Sequence, residues 1–251
     1  MRYKTNTAVA LPAGPRFFTQ LAASTADVLE AQRLRYRVFA EEMGAQLPDR
    51  KLRLDRDRFD PYCDHLLVRD THTQAVVGTY RMLPAREARK LGGFYAEGEF
   101  DLGPVRELPG LVEFGRACVH PDYRTGAVLG LLWAGLAGYL RACGHTHVLG
   151  CASVAAGDDP RWAARVCRRV LDERPGPAAW QVRPLNPLSL DGVEAAPRAA
   201  VPGLIRGYLH LGAKACGAPA WDPHFRTADL PLVLAMTEMD QRWARRLLRA
   251  A

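Results

Sequence analysis

The chain has 251 residues, 48% hydrophobic and 24% charged, which is enough for a sizeable core and ordinary for a globular protein. Its net charge is +7, from 34 Lys and Arg against 27 Asp and Glu. Lys4, Lys51, Lys90 and Lys214 are the only lysines, so the charge rests on arginine, either from codon bias or from selection for its phosphate and carboxylate fork; a basic surface points to acidic partners.

The first predicted element is a strand near Phe17–Ala23. A helix follows from about Asp27 to Met43, with Ser24 or Thr25 to cap it and Gly44 to end it; Ala31, Leu34, Val38 and Phe39 share one face. Pro48–Asp60 is charge-dense and reads as an exposed loop. Strands are expected at His65–Arg69 and Val76–Met82, a short helix near Pro84, and a strand at Leu111–Val119. The apolar run Ala127–Leu140 opens near Gly126 and falls short of the roughly 20 residues a bilayer needs, so it reads as a buried helix. Val148–Ser153 is a strand and Asp158–Asp172 a helix. Glu173–Pro202 is Pro-rich and lacks a period. A helix near Leu204–Ala215, a strand near Leu230–Met236 and a helix from Glu238 onward complete the chain. Strands alternating with helices indicate an α/β or α+β architecture in a single domain over residues 1–251, with 173–251 completing the sheet.

The six cysteines form no CxxC pair, and most sit in apolar stretches, as small buried hydrophobes do. The N-terminal residues lack the basic and apolar segments of a secretory leader, so a cytoplasmic chain with reduced thiols is expected. His145 and His147 share a predicted strand face without a third ligand, so no metal is expected. Neither a helix-turn-helix nor aromatic-basic interleaving is present, so nucleic acid is not an expected partner.

The segment Val112-Glu113-Phe114-Gly115-Arg116-Ala117-Cys118-Val119-His120-Pro121-Asp122-Tyr123-Arg124-Thr125-Gly126 carries the chemistry. A strand ends in an Arg/Gly turn that opens a helix, which aims backbone N–H groups at one spot and suits a phosphate. This resembles the signature of the GNAT acyltransferases, whose fold is a mixed, mostly antiparallel sheet flanked by helices. The usual loop pattern, Gln/Arg-x-x-Gly-x-Gly/Ala, is not met by Arg124-Thr125-Gly126-Ala127, which favours a carrier-protein thioester over acetyl-CoA. Val119, Arg124, Thr125, Gly126 and Ala127 are the residues the resemblance assigns to phosphopantetheine.

Arg35-Tyr36-Arg37-Val38-Phe39, Asp57-Arg58-Phe59-Asp60, Tyr80-Arg81-Met82-Leu83-Pro84 and Glu113-Phe114-Gly115-Arg116 are similar, in the same order, to motifs of the acyl-homoserine-lactone synthases. From about Ala31 onward the chain resembles the bacterial L-ornithine Nα-acyltransferases, through those segments and through Phe59–Leu66, Gly92-Gly93-Phe94-Tyr95, Gly115–Gly126 and Gly150-Cys151-Ala152-Ser153. That resemblance implies transfer of a 3-hydroxyacyl chain from acyl carrier protein to the α-amine of L-ornithine, giving lyso-ornithine lipid. The co-substrate is acyl-phosphopantetheine, with no permanently bound cofactor, and peripheral contact with an anionic membrane is compatible with a lipid product.

An attacking amine must lose a proton, and Glu113 is the candidate base, directly or through a water, unless it is a buried ion-pair partner. Strict alternation separates Glu113 from Arg116; a β-bulge brings them to one face. Arg81 or Arg116 is expected to hold ornithine's carboxylate and Asp57 or Asp60 an ammonium. Arg35 and Phe39 are further substrate candidates, with a solvated helix face for Arg35 and a core role for Phe39 as the alternatives. Arg50, Lys51, Arg53, Arg56 and Arg58 form either a plain charged surface or a dock for acidic carrier protein or anionic lipid. A related GNAT enzyme with another acceptor, and a basic binding protein without turnover, are the competing readings.

Overall fold

In a computed structural model of the chain, residues 15–157 and 159–239 are described. Ten strands and five α-helices alternate: β1 (Phe17–Leu21), α1 (Thr25–Tyr36), β2 (Asp64–Asp70), β3 (Val76–Pro84), α2 (Ala85–Lys90), β4 (Phe100–Asp101), β5 (Leu111–Val119), α3 (Ala127–Cys143), β6 (His147–Ala155), α4 (Pro160–Glu173), β7 (Arg183–Pro184), α5 (Gly203–Leu211), β8 (Lys214–Ala215), β9 (Ala220–Asp222) and β10 (Thr227–Ala235). The main sheet runs β1-β2-β3-β5-β6-β10-β8, with β9 also on β10, and β4 pairs with β7 separately. Every pairing in the main sheet is antiparallel except β5 with β6. The last quarter of the described chain thus supplies three strands of the sheet.

Alternation along the strands divides the core. Leu66, Val68, Tyr80 and Met82 meet α3, whereas Leu67, Val76 and Cys118 meet α1 on the opposite face. α4 and α5 lie on the α3 side, over Ala152, Val154, Leu230 and Leu232. The segment from Phe94 to Val105 covers Leu149 and Val233 on the α1 side. α3 is apolar almost all round because sheet and α5 enclose it; no helix among the described residues is long and apolar enough to cross a membrane.

Several local features differ from the expectation. Ser24 does cap α1, in a reciprocal box with Asp27, but the helix does not run regularly to Met43. It widens into a π-turn at Arg37–Glu42, closed by Met43 N–H donating to the Val38 carbonyl. Val38 and Phe39 are both buried within it. Gly212, at φ 109°, ends α5 at Leu211, so Lys214–Ala215 is a strand and not the end of a helix. His145 lies in the turn before β6 and does not share a strand face with His147. Glu173–Pro202 holds β7 and short 3₁₀ turns. The helix expected from Glu238 falls largely outside the described residues.

β5 and β6 pair only from Leu111–Phe114 against His147–Gly150. Beyond Phe114, β5 stays with β3 and β6 stays with β10, so the sheet opens as a wedge. Gly150 stands at its apex: a Cβ there would lie 3.1 Å from the Phe114 carbonyl oxygen. On β5, Arg116 and Ala117 together oppose Tyr80, because the register shifts between Thr79 and Arg81. This is the expected bulge, and Arg116 takes φ 54° within it.

Leu67 is fully buried between α1 and the sheet. Leu67→Ala is expected to cost about 2–5 kcal/mol, read as a lower urea midpoint with an unchanged m-value.

Candidate active site

Beneath α1, three arginines meet three aspartates. Arg35 is 0% exposed. Its Nε donates to Asp55 at 2.8 Å, and its two Nη groups donate to Asp60 at 2.9 Å each. Arg81 Nη1 bridges Asp57 at 2.8 Å and Asp60 at 3.0 Å. Arg116 reaches Asp55 at 3.2 Å and Asp57 at 3.5 Å. Gln32 donates to Asp60 at 3.0 Å, and His65 Nε2 meets the Asp60 carbonyl at the same distance. Burial alone would raise the Asp60 pKa; Arg35 and Arg81 outweigh it and hold the carboxyl well below the usual range.

This network revises the reading of residues 48–60. They are not simply an exposed charged loop: Asp55 and Asp60 are buried, Arg56 pairs with Asp49 at 2.5 Å, and Arg53 pairs with Glu41. Nor does Arg35 decorate a solvated face. Asp57 and Asp60, together with Asp55, already balance three guanidinium groups, so they offer little net negative charge for an ammonium. Arg35, Asp57 and Asp60 stand behind the cavity wall; Phe39, Arg81 and Arg116 line it.

That cavity, about 810 Å³, runs along both sides of the wedge. On the α1 side it meets Arg81, Glu113, Arg116, Glu99, Asp222 and Asp229. Arg116 lies 4.5 Å from the Tyr95 ring centre and 5.2 Å from that of Phe225, and donates to Tyr95 Oη at 3.2 Å. These contacts offset the cost, roughly 1–2 kcal/mol, of a left-handed non-glycine residue. Glu113 accepts from the N–H groups of Tyr95 and Ala96 at 2.7 and 2.8 Å. The bulge therefore does gather Glu113 and Arg116 around Tyr95. Burial pushes Glu113 up to about 7, against the pull of those two N–H groups.

Sequence reading missed the other acidic group. Glu99, Asp222 and Asp229 bring carboxylate oxygens within 4.8 Å of one another. Burial, then the charges of Asp229 and Asp222, push Glu99 up to about 9. Asp229 is also raised, by burial and Asp222, although Ser153 and Thr227 hydrogen-bond it. Three hard oxygen donors without an arginine of their own suit an ammonium or a hard cation. The residues are far apart in sequence and follow no motif, so only the fold assembles them.

On the other side of the wedge the cavity is lined by Leu132, Trp133, Leu136, Ile205 and Leu234. Gly207 lets α5 close on Trp133, where a Cβ would collide with the indole. At the mouth, Gly126 in a left-handed conformation caps α3, and Val119, Arg124 and Gly126 line the cavity whereas Thr125 and Ala127 do not. The first N–H groups of α3 lack intrahelical acceptors. Arg124 is held by Glu42 at 2.5 and 2.7 Å. Buried thiols are pushed up, Cys118 and Cys167 to about 12, and Cys151, which lines the cavity, well above its ordinary value; none is a ready nucleophile.

A sheet splayed between two parallel strands, a cavity through the opening and a helix N-terminus at its mouth define an acyltransferase of the GNAT type. Residues 34–134 match the family described as acetyltransferase (GNAT) domain. Among solved structures, the CoA-dependent acyl-homoserine lactone synthase BjaI shares the fold with a TM-score of 0.55 at 18% identity, covering 93% of this chain and 88% of that one. FeeM, an N-acyl amino acid synthase from uncultured soil microbes, does so with a TM-score of 0.51 at 11% identity, covering 90% and 93%. The chain is 37% identical to the L-ornithine N(alpha)-acyltransferase of Rhizobium meliloti over 90% of its own length and 82% of the relative's. It is 35% identical to that of Rhodobacter capsulatus, covering 89% and 91%. The chain belongs to the L-ornithine Nα-acyltransferase family.

Replacing one member of the buried network leaves its partners uncompensated. Asp60→Asn is expected to lose about 3–5 kcal/mol at neutral pH. Because the folded-state pKa of Asp60 is depressed, its contribution is present above the ordinary aspartate value of about 3.9 and fades as pH falls towards the folded value. Urea titrations of wild type and variant should thus converge between about pH 5 and pH 2.

Proposed function

We propose that this enzyme transfers an acyl chain from the phosphopantetheine thioester of acyl carrier protein to the α-amine of L-ornithine, forming lyso-ornithine lipid. The observation that carries the reading is the division of the cavity, with charged groups of both signs on one side of the wedge and hydrocarbon on the other. A diamino acid presents one carboxylate and two amines. Arg116, with Arg81 behind it, receives the carboxylate. Glu99, Asp222 and Asp229 receive the side-chain ammonium, and the α-amine is left facing the wedge. This replaces Asp57 and Asp60 as the ammonium partners, since the arginines already neutralise them. The acyl chain lies between α3 and α5.

The amine nitrogen attacks the thioester carbon. The C–N bond forms, the C–S bond breaks, and the phosphopantetheine thiolate leaves. Glu113, whose pKa near neutrality suits proton transfer, takes the proton from the amine directly or through a water and returns it, through solvent, to the departing thiolate. The N–H groups near Val119 and at the start of α3 face the thioester arm. Arg50 and Lys51 remain exposed and offer a docking point for the acidic carrier, or for an anionic membrane that takes up the product.

The test is thiol release from acyl carrier protein across a panel of free amino acids, with mass spectrometry of the products. Ornithine-dependent release with an Nα-acyl product is expected; no release with any amine would overturn the reading. Asp229→Asn should raise KM for ornithine by about 10- to 100-fold, the range for a charged hydrogen bond. Norvaline, which lacks the second amine, should be a poor acceptor for the wild type and should respond little to Asp229→Asn. Dialysis against a chelator should leave the rate unchanged, because an ammonium and not a metal fills the acidic group.

A further inference from the structure

A second cavity, about 470 Å³, lies at the other end of the sheet from the mouth described above. Leu111, the first residue of β5, lines it, whereas Val119, the last, stands at the mouth of the first cavity. A strand of that length separates the two places by about 26 Å. One phosphate group cannot occupy both.

The walls carry mainly positive charge. Arg86 and Arg89 come from α2, and Arg106 from the turn at Gly103–Glu107; Glu107 is the one carboxylate among the lining residues. The arginines keep donors to spare. The Arg89 side chain makes no hydrogen bond or ion pair among the described residues. Arg86 meets Glu87 at only 3.4 Å, and Glu87 is also taken by Lys90 at 2.7 Å. Arg106 donates to Glu97 at 2.6 Å and to the Gly92 carbonyl at 3.3 Å, which hold it in place and use two of its five N–H groups. The opposite wall is fixed. Tyr139 is buried, donates to Asp64 at 2.7 Å and stacks on His145 at 5.6 Å between ring centres. The carbonyls of Leu140 and Arg141, at the end of α3, would repel an anion; the N–H groups of His145 and Gly144 take them up.

A carboxylate has two oxygens and is satisfied by one guanidinium fork. Three forks arriving from two segments suit a group with acceptor oxygens in several directions, which is a phosphate. The volume falls in the range of small-molecule sites, and arginines around a recess favour a free ligand over the plane of a bilayer. We infer that this second cavity binds a small molecule bearing a phosphate or diphosphate, held by Arg86, Arg89 and Arg106. The site stands apart from the acyl-transfer chemistry and does not rest on the function proposed above.

Cys143 lines the cavity and is the one exposed cysteine of the six, so it reports occupancy. The full chain is alkylated with iodoacetamide over a series of inorganic pyrophosphate concentrations, with ionic strength held constant by potassium chloride, and the Cys143 peptide is followed by mass spectrometry. Pyrophosphate should slow alkylation of Cys143 saturably. Arg86 and Arg89 are exposed, so Arg86→Gln/Arg89→Gln leaves the core intact. In that variant the half-protecting concentration should rise at least tenfold, about the worth of one charged hydrogen bond. Arg124→Gln, at the far end of β5, should leave it unchanged. Absence of saturable protection, or a half-protecting concentration that the double variant does not move, overturns the inference. Protection by phosphatidylglycerol vesicles where pyrophosphate gives none also overturns it, and makes the three arginines a membrane contact.

Discussion

The charge balance beneath α1 governs the rest of the site. Three guanidinium groups and three carboxylates share a space almost closed to water, tied by bonds of 2.8 to 3.5 Å. Such a cluster gives little net stability against an apolar core of equal volume, but it is costly to leave half-made. Its effect is positional. It pins the 48–60 segment to the sheet, fixes Arg81, and stretches Arg116 across the bulge between two aromatic rings. Because the cluster is self-neutralising, it delivers two arginines to the cavity wall without leaving spare anions among them. The acidic group of Glu99, Asp222 and Asp229 is less fully compensated: burial and mutual repulsion raise Glu99 and Asp229, opposed at Glu99 by Arg116 and at Asp229 by Ser153 and Thr227.

The sheet then separates a polar side of the cavity from an apolar one. Side chains alternate across β3, so Arg81 faces the polar side and Tyr80 faces the apolar side, one residue apart. The same alternation on β5 would send Arg116 to the apolar side; the bulge returns it to Glu113. Where β5 and β6 part after Phe114 and Gly150, the two sides communicate. On the proposed function a charged amino acid and a hydrocarbon chain approach the same gap from opposite faces, each in surroundings suited to its own solvation.

Much of this was legible in the sequence. The bounds of β5, a cap at Ser24 or Thr25 and the burial of α3 follow from local pattern, whereas the bulge between Glu113 and Arg116 was implied by the resemblance to the GNAT acyltransferases. The π-turn at Arg37–Glu42 was not legible, since a helical face continues through it; Phe39 within it packs edge-on against Phe225. The burial of Arg35 was not legible, because a charged residue on a helix is usually outside or at a substrate; its partners lie 20 and 25 positions away. Glu99, Asp222 and Asp229 come from three separate segments. Long-range juxtapositions of this kind leave no periodicity or spacing to read.

The central claim is that amine and acyl chain occupy opposite faces of one opened sheet. A crystal structure with an Nα-acylated diamino acid bound measures this directly. The claim predicts the free ammonium against Glu99, Asp222 and Asp229, the carboxylate on Arg116, the amide in the gap between Phe114 and Gly150, and the hydrocarbon between α3 and α5. An acyl chain lying on the α1 side, or an ammonium seated on Asp57 and Asp60, would contradict it.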